Sequence, residues 1–184
     1  YKKKIYKTNF QFVAVSNWLK TRAINSSVLK GRDILKIDNN IEIKDFKIIK
    51  KINAKSSLNI ITKKQIILYG AHNPQSQRKG WDVFLKSLQK IDKSKFFLLI
   101  FGKFWSDKQI KKIGIEYKSC GYVREKKILN SIYSSADIFI ASSLHDAWPK
   151  TFAEAMCCST PTVCFDKTSI SEIIDHKING YIAK

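Results

Sequence analysis

The residues of this chain whose types and spacing could do chemistry are two carboxylates and a basic pair. Asp146 and Glu154 are separated by seven residues, and Arg78-Lys79-Gly80 lies far upstream. A carboxylate can accept two hydrogen bonds from a vicinal diol. Basic side chains and free backbone N–H groups at a helix start form an anion site. Plainer readings stand beside these. Asp146 could cap a helix and Glu154 could be a solvated surface acid, while Arg78-Lys79 could be a helix-start basic pair with no ligand.

Two strand–loop–helix units must position these groups. Residues 136–141 form an apolar run of the kind found in a buried parallel strand, and 142–146 is the polar loop leaving it. Pro149 suits an early helical position, and Lys150 to Cys157 carries the helix. Ser159-Thr160-Pro161 stops it, and Thr162 to Phe165 is the next strand. A helix starting near Pro149 places Glu154 within its first two turns, near the end carrying partial positive charge. Upstream, 65–71 reads as a strand, 72–77 as a loop, and 81–91 as an amphipathic helix opened by Arg78-Lys79-Gly80. Ligands of open α/β sheets bind beyond the carboxyl ends of the strands, where such loops and helix starts gather.

The remaining elements follow in order. Residues 2–4 read as a loop, 10–16 as a strand and 17–25 as a helix capped by Ser16 or Asn17. A strand is expected at 33–37, a turn at 38–41, and a lysine-rich linker with a surface helix over 42–64. Beyond it, a strand at 96–102, a short helix at 108–112, a strand and turn at 120–123 and a helix at 124–134 are expected. Residues 179–182 read as a final turn and strand. The fold class is α/β: a Rossmann-like parallel sheet with flanking helices.

Composition narrows the function classes. At 184 residues the chain can hold one well-sized core with an appendage. No apolar run approaches the ~18 residues of a membrane span. Cys120, Cys157, Cys158 and Cys164 show no C-x-x-C spacing and read as reduced packing residues of a cytoplasmic protein. His72, His145 and His176 suggest no metal site. The net charge of +19 raises a nucleic-acid reading, yet the lysines are dispersed and no zinc, helix-turn-helix or RNP-like pattern accompanies them. Residues 1–32 hold eight bases and no acid, whereas 139–184 hold four bases and five acids. A basic body with a near-neutral corner fits an anion-binding site and peripheral contact with an anionic membrane, with no nucleic acid.

The ordered set of motifs resembles glycosyltransferase family 4, whose fold is GT-B. In that family a Glu, seven residues and Glu-Ala precede a small-residue turn with Pro and a strand. Here Asp146, Glu154-Ala155-Met156 and Cys158-Ser159-Thr160-Pro161-Thr162-Val163 stand at those positions, with Asp146 for the first Glu and Ser159 for a common Gly. Arg78-Lys79-Gly80, Cys120-Gly121-Tyr122-Val123, Tyr133-Ser134-Ser135-Ala136-Asp137 and Asn179-Gly180 match further motifs in order. Asn39-Asn40-Ile41 and Phe46 match the family's hinge loosely, and 169–174 stands where it often has Gly-Gly-x-x-Glu.

The resemblance implies a retaining glycosyltransferase that uses a UDP-, GDP- or ADP-sugar donor with no essential metal. It implies that residues 1–45 end an N-terminal Rossmann-like domain and that 46–184 form the C-terminal nucleotide-sugar-binding domain, with the rest of the first domain and the terminal helices lying outside this sequence. Arg78, Lys79 and Gly80 would face the donor diphosphate, joined by Pro149, Lys150 and Thr151 at the second helix start. Glu154 would hold the ribose diol, and Asp146 would approach the donor sugar. The acceptor would be a glycan or lipid-linked molecule, reached at the inner face of the cell membrane. Three rivals remain: a basic nucleic-acid module, a dinucleotide-binding domain (though no G-x-G-x-x-G follows a strand), and a non-catalytic relic of the same fold.

Overall fold

The computed structural model describes residues 10–104 and 106–184. The loop expected at residues 2–4 lies outside them. The chain opens with a small parallel unit: β1 (Phe12–Ala14), α1 (Asn17–Ile24) and β2 (Ile34–Lys36), with Val13 opposite Leu35. Ser16 ends the strand by capping the helix, its hydroxyl accepting the Leu19 N–H at 3.1 Å. The next two free N–H groups, of Asn17 and Trp18, reach the Glu172 carboxylate at 2.9 and 2.6 Å. A distant acid thus completes the cap and ties this unit to the rest of the molecule.

Residues 42–64 hold the expected surface helix, and the segment packs against the main core. They contain α2 (Lys51–Ser57), whose Ala54 is fully buried, while Phe46, Leu58 and Ile60 enter the main core. Asp137 explains the docking: its carboxylate accepts Lys51 Nζ at 2.6 Å and the Ile66 N–H at 2.7 Å. One acid therefore pins α2 to the start of the sheet.

The main sheet has six parallel strands, β3 (Gln65–Gly70), β4 (Phe96–Phe101), β5 (Tyr117–Ser119), β6 (Ile138–Ala141), β7 (Thr162–Phe165) and β8 (Gly180–Ala183). Their order is β5-β4-β3-β6-β7-β8. Alternation along β3 sends Ile66 and Leu68 to one face and Ile67 and Tyr69 to the other. The first face is covered by α2, α5 (Lys126–Ser135) and α6 (Lys150–Cys157), and the second by α3 (Trp81–Leu88) and α4 (Lys108–Ile113). Both layers bury long aliphatic and aromatic side chains, so the central strands read as continuous apolar runs. Strand order reverses between β3 and β6, which opens a crevice at their carboxyl ends.

Several boundaries shift from expectation for local reasons. Helix α3 stops at Leu88, short of residue 91, because Asp92 accepts the backbone and side-chain donors of Ser94 and turns the chain toward β4. Strand β5 lies before 120–123: Cys120 N–H still reaches the Ile100 carbonyl at 2.8 Å, but Gly121 turns left-handed at φ 65° and ends the ladder. Helix α5 starts at Lys126 with Glu125 as its cap residue, two residues later than expected. The four cysteines are free, and burial raises the Cys158 and Cys164 thiols to about 11, which keeps them protonated.

Candidate functional site

The crevice between β3 and β6 is built mainly from backbone. Residues Gln77–Lys79 make a short 3-10 turn, and Gly80 links it to α3 at φ 70°. A Cβ at Gly80 would stand 1.9 Å from the Ser142 carbonyl oxygen, so only glycine fits. Ser142 Oγ donates to the Lys79 carbonyl at 3.0 Å, and Leu144 N–H donates to that of Arg78 at 2.9 Å. From beneath, the Tyr69 hydroxyl lies 3.1 Å from the Lys79 carbonyl. Burial pushes this phenol up to about 12, so it remains a donor. These bonds clamp the basic pair over the loop that follows β6.

Held in this way, Lys79 Nζ lies 2.5 Å from Asp146 Oδ2 and Arg78 Nη1 lies 3.4 Å from the same oxygen. The Asp146 side chain is 8% exposed and that of Lys79 14%, whereas that of Arg78 is 57% exposed. Ser143 Oγ stands 3.4 Å from Asp146 Oδ2, and Ser169 Oγ donates to the Asp146 carbonyl at 3.0 Å. The capping reading of Asp146 is therefore replaced: its carboxylate serves a buried ion pair, and α6 has no side-chain cap. Pro149 also moves from its expected helical place. It occupies the cap position in extended geometry, φ −74° and ψ 126°, and the helix begins at Lys150.

Glu154 sits in the second turn of α6, half-buried rather than solvated. The Tyr133 hydroxyl donates to its Oε2 at 2.7 Å. Burial raises the Glu154 carboxyl above its ordinary value, against the lowering pull of the Tyr133 bond and the charges of Lys150 and Lys126. Glu154, Lys150 and Lys126 line a cavity of about 230 Å³ closed by Phe46 and by residues 40–42 of the segment after β2. A second, smaller concavity gathers Lys79, Ser142, Ser143, Pro149 and Thr151 at the ends of β3 and β6.

The structure thus brings Arg78, Lys79 and Asp146 into one cluster and places Pro149 and Thr151 beside Lys79. Lys150 and Glu154 face the neighbouring cavity. Sequence reasoning missed Ser142, Tyr69 and Tyr133 as parts of this architecture. The Tyr133-to-Asp137 motif was the available signal for the last. Among the described residues, no group of three or more His, Cys, Asp or Glu is placed to hold a metal ion.

Comparison with known proteins bears on this geometry. The family described as "Glycosyl transferases group 1" matches residues 63–184. An uncharacterized glycosyltransferase of Methanocaldococcus jannaschii is 26% identical over 137 residues, covering 71% of this chain and 34% of that protein. Sucrose-phosphate synthase from Thermosynechococcus elongatus superposes with a TM-score of 0.82 at 18% identity, over 98% of this chain and 47% of its own. A glycosyltransferase from Rickettsia africae gives 0.81 at 18%, over 99% and 52%. Anabaena HepE, solved with UDP and glucose, gives 0.80 at 16%, over 99% and 53%. The chain therefore spans about a third of the curated relative and about half of these solved structures. At such identities the superpositions establish the fold alone, that of a Rossmann-like domain of GT-B glycosyltransferases.

Proposed function

This chain belongs to the group 1 glycosyl transferases, and from that membership we propose that it is the donor-binding part of a retaining enzyme that transfers a sugar from a nucleotide donor. The reading rests above all on the Arg78–Lys79–Asp146 cluster at the carboxyl ends of β3 and β6. Negative charge grows on the departing diphosphate during transfer. Preorganised cations there stabilise the transition state more than the ground state. Lys79 presents three donors; Asp146 takes one and leaves the others for phosphate oxygens. Arg78, with its exposed head, is the outer partner.

In this reading Asp146 both orients Lys79 and approaches the donor sugar. Gly80, Pro149, Lys150 and Thr151 shape the phosphate side, and Glu154 accepts the ribose hydroxyls. Side-chain cations carry the leaving-group charge, so no essential metal is invoked. The small β1–α1–β2 unit would be the end of an N-terminal Rossmann-like domain. HepE was solved with UDP and with UDP-glucose, which supports a nucleotide sugar as the ligand class. The acceptor is proposed to be a glycan or lipid-linked molecule in polysaccharide biosynthesis.

Peripheral attachment to an anionic membrane, on the cytoplasmic side, completes the proposal. Its support is a groove lined by Ile52, Ile61, Lys51, Lys55 and Lys63, where Ile52 is 75% and Ile61 99% exposed. Exposed apolar groups ringed by lysines suit a headgroup layer. No described helix is long and apolar enough to cross a membrane. Calorimetric titration of the chain with UDP, GDP and ADP tests the site. Saturable binding of one of them is expected, and flat titrations with all three would refute it.

A further inference from the structure

We propose that Tyr133 is a positioning residue for nucleotide recognition: its buried hydroxyl occupies Glu154 Oε2 and presents the other carboxylate oxygen to the ligand. The inference rests on the reading of Glu154 as the ribose acceptor. Tyr133 is wholly buried, and its ring is fixed by edge-on contacts with Phe46, Phe101 and Phe139 at centroid distances of 5.9, 5.7 and 6.2 Å. Thr160 Oγ1 donates to its backbone carbonyl at 2.6 Å, tying the end of α5 to the turn after α6. The hydroxyl therefore has little freedom, and it ends 2.7 Å from Oε2.

Among the described residues, Tyr133 is the only side chain hydrogen-bonded to the Glu154 carboxylate. One oxygen is thus held from the core side, while the residue itself lines the cavity closed by Asn40, Ile41 and Phe46. An acid with one oxygen anchored loses less rotamer freedom when it binds a diol, and that preorganisation strengthens binding. The same bond also favours the charged form. Burial disfavours the carboxylate, and the Tyr133 hydrogen bond and the Lys150 and Lys126 charges oppose that effect. Glu42 lines the same cavity, and Cys157 and Cys158 lie behind the acid on its own element and the turn after it. Of these groups, the tyrosine is the one in direct contact, and phenylalanine in its place removes only the hydroxyl.

The experiment titrates the 184-residue chain, its Tyr133→Phe variant and its Glu154→Gln variant with whichever of UDP, GDP and ADP binds the wild type. Titrations run from about pH 4 to pH 8, spanning the ordinary and elevated carboxyl range. Loss of a hydrogen bond to a charged group predicts that Tyr133→Phe weakens binding about tenfold at neutral pH. It should also move the acid limb of the binding profile to higher pH, because Glu154 then protonates more readily. Glu154→Gln should weaken binding and abolish that limb. A merely structural tyrosine would change the melting temperature and leave the limb in place. If Glu154→Gln weakens binding while Tyr133→Phe has the wild-type affinity and limb, the positioning role is overturned and the ribose reading stands. If Glu154→Gln binds as wild type does, the ribose reading itself falls, and the positioning role with it.

Discussion

At the residue scale, Asp146 carries more than its spacing suggested. A lone loop acid facing a sugar could be changed with little effect on the fold, but this one neutralises Lys79 in a nearly water-free place. Removing one member of a buried pair strands the other's charge, at a cost of about 3–5 kcal/mol. Asp146→Ala should therefore lower the urea midpoint strongly, and Asp146→Asn, which keeps an acceptor oxygen, should lower it less. Equal midpoints for wild type and Asp146→Ala would show that the pair contributes nothing to stability. Glu154 behaves differently. Its folded-state carboxyl is raised, chiefly by burial, so folding takes up a proton. The stability from this group is present in full below the unfolded carboxylate value of about 4.3 and is lost as pH rises through the elevated one. Glu154→Gln should flatten that decline. Parallel melting-temperature profiles for the two proteins between about pH 4 and pH 7 would contradict the assignment.

At the element scale, the strand–loop–helix order from β3 to β8 was legible because each central strand is an apolar run and α3 repeats its apolar positions at helical spacing. The stretch from Asp146 to Glu154 likewise runs from a loop into a helix, as its residues predicted. Features set by distant partners were hidden. Helix α2 was legible as a surface helix, but its docking was not, because it depends on Asp137, far along the chain and just before β6. The end of β5 was hidden because a left-handed glycine, rather than hydrophobicity, ends it. Tyr133 escaped notice because its value to Glu154 arises only where α5 packs against α6. Gly80 is the position where local and tertiary demands coincide. Gly80→Ala would require both a left-handed alanine and a displaced Ser142 carbonyl. A destabilisation on the order of 2–3 kcal/mol is expected, read as a fall in the denaturation midpoint. An unchanged midpoint would mean that the turn tolerates a different path.

At the scale of the whole molecule, the charge of +19 is spread over a body whose candidate site is a small cluster of two cations and one acid. The lysine-flanked isoleucines of the 51–63 segment are the proposed membrane contact. Sedimentation with vesicles containing anionic phosphatidylglycerol should retain the wild type and release an Ile52→Glu, Ile61→Glu double variant; vesicles of neutral phosphatidylcholine should retain neither. Equal retention of wild type and variant would place any membrane contact elsewhere.

The central claim is that Lys79 meets a diphosphate at the crevice between β3 and β6. Calorimetry of wild type, Lys79→Ala and Arg78→Ala with a nucleoside diphosphate and its parent nucleoside tests it most directly. A charge-assisted hydrogen bond of ~1.5–3 kcal/mol predicts that Lys79→Ala weakens the diphosphate about tenfold to a hundredfold, with nucleoside affinity unchanged. Arg78→Ala, whose cation is largely in water, should have the smaller effect. Undiminished diphosphate binding by Lys79→Ala would contradict the account, as would an equal loss of nucleoside binding.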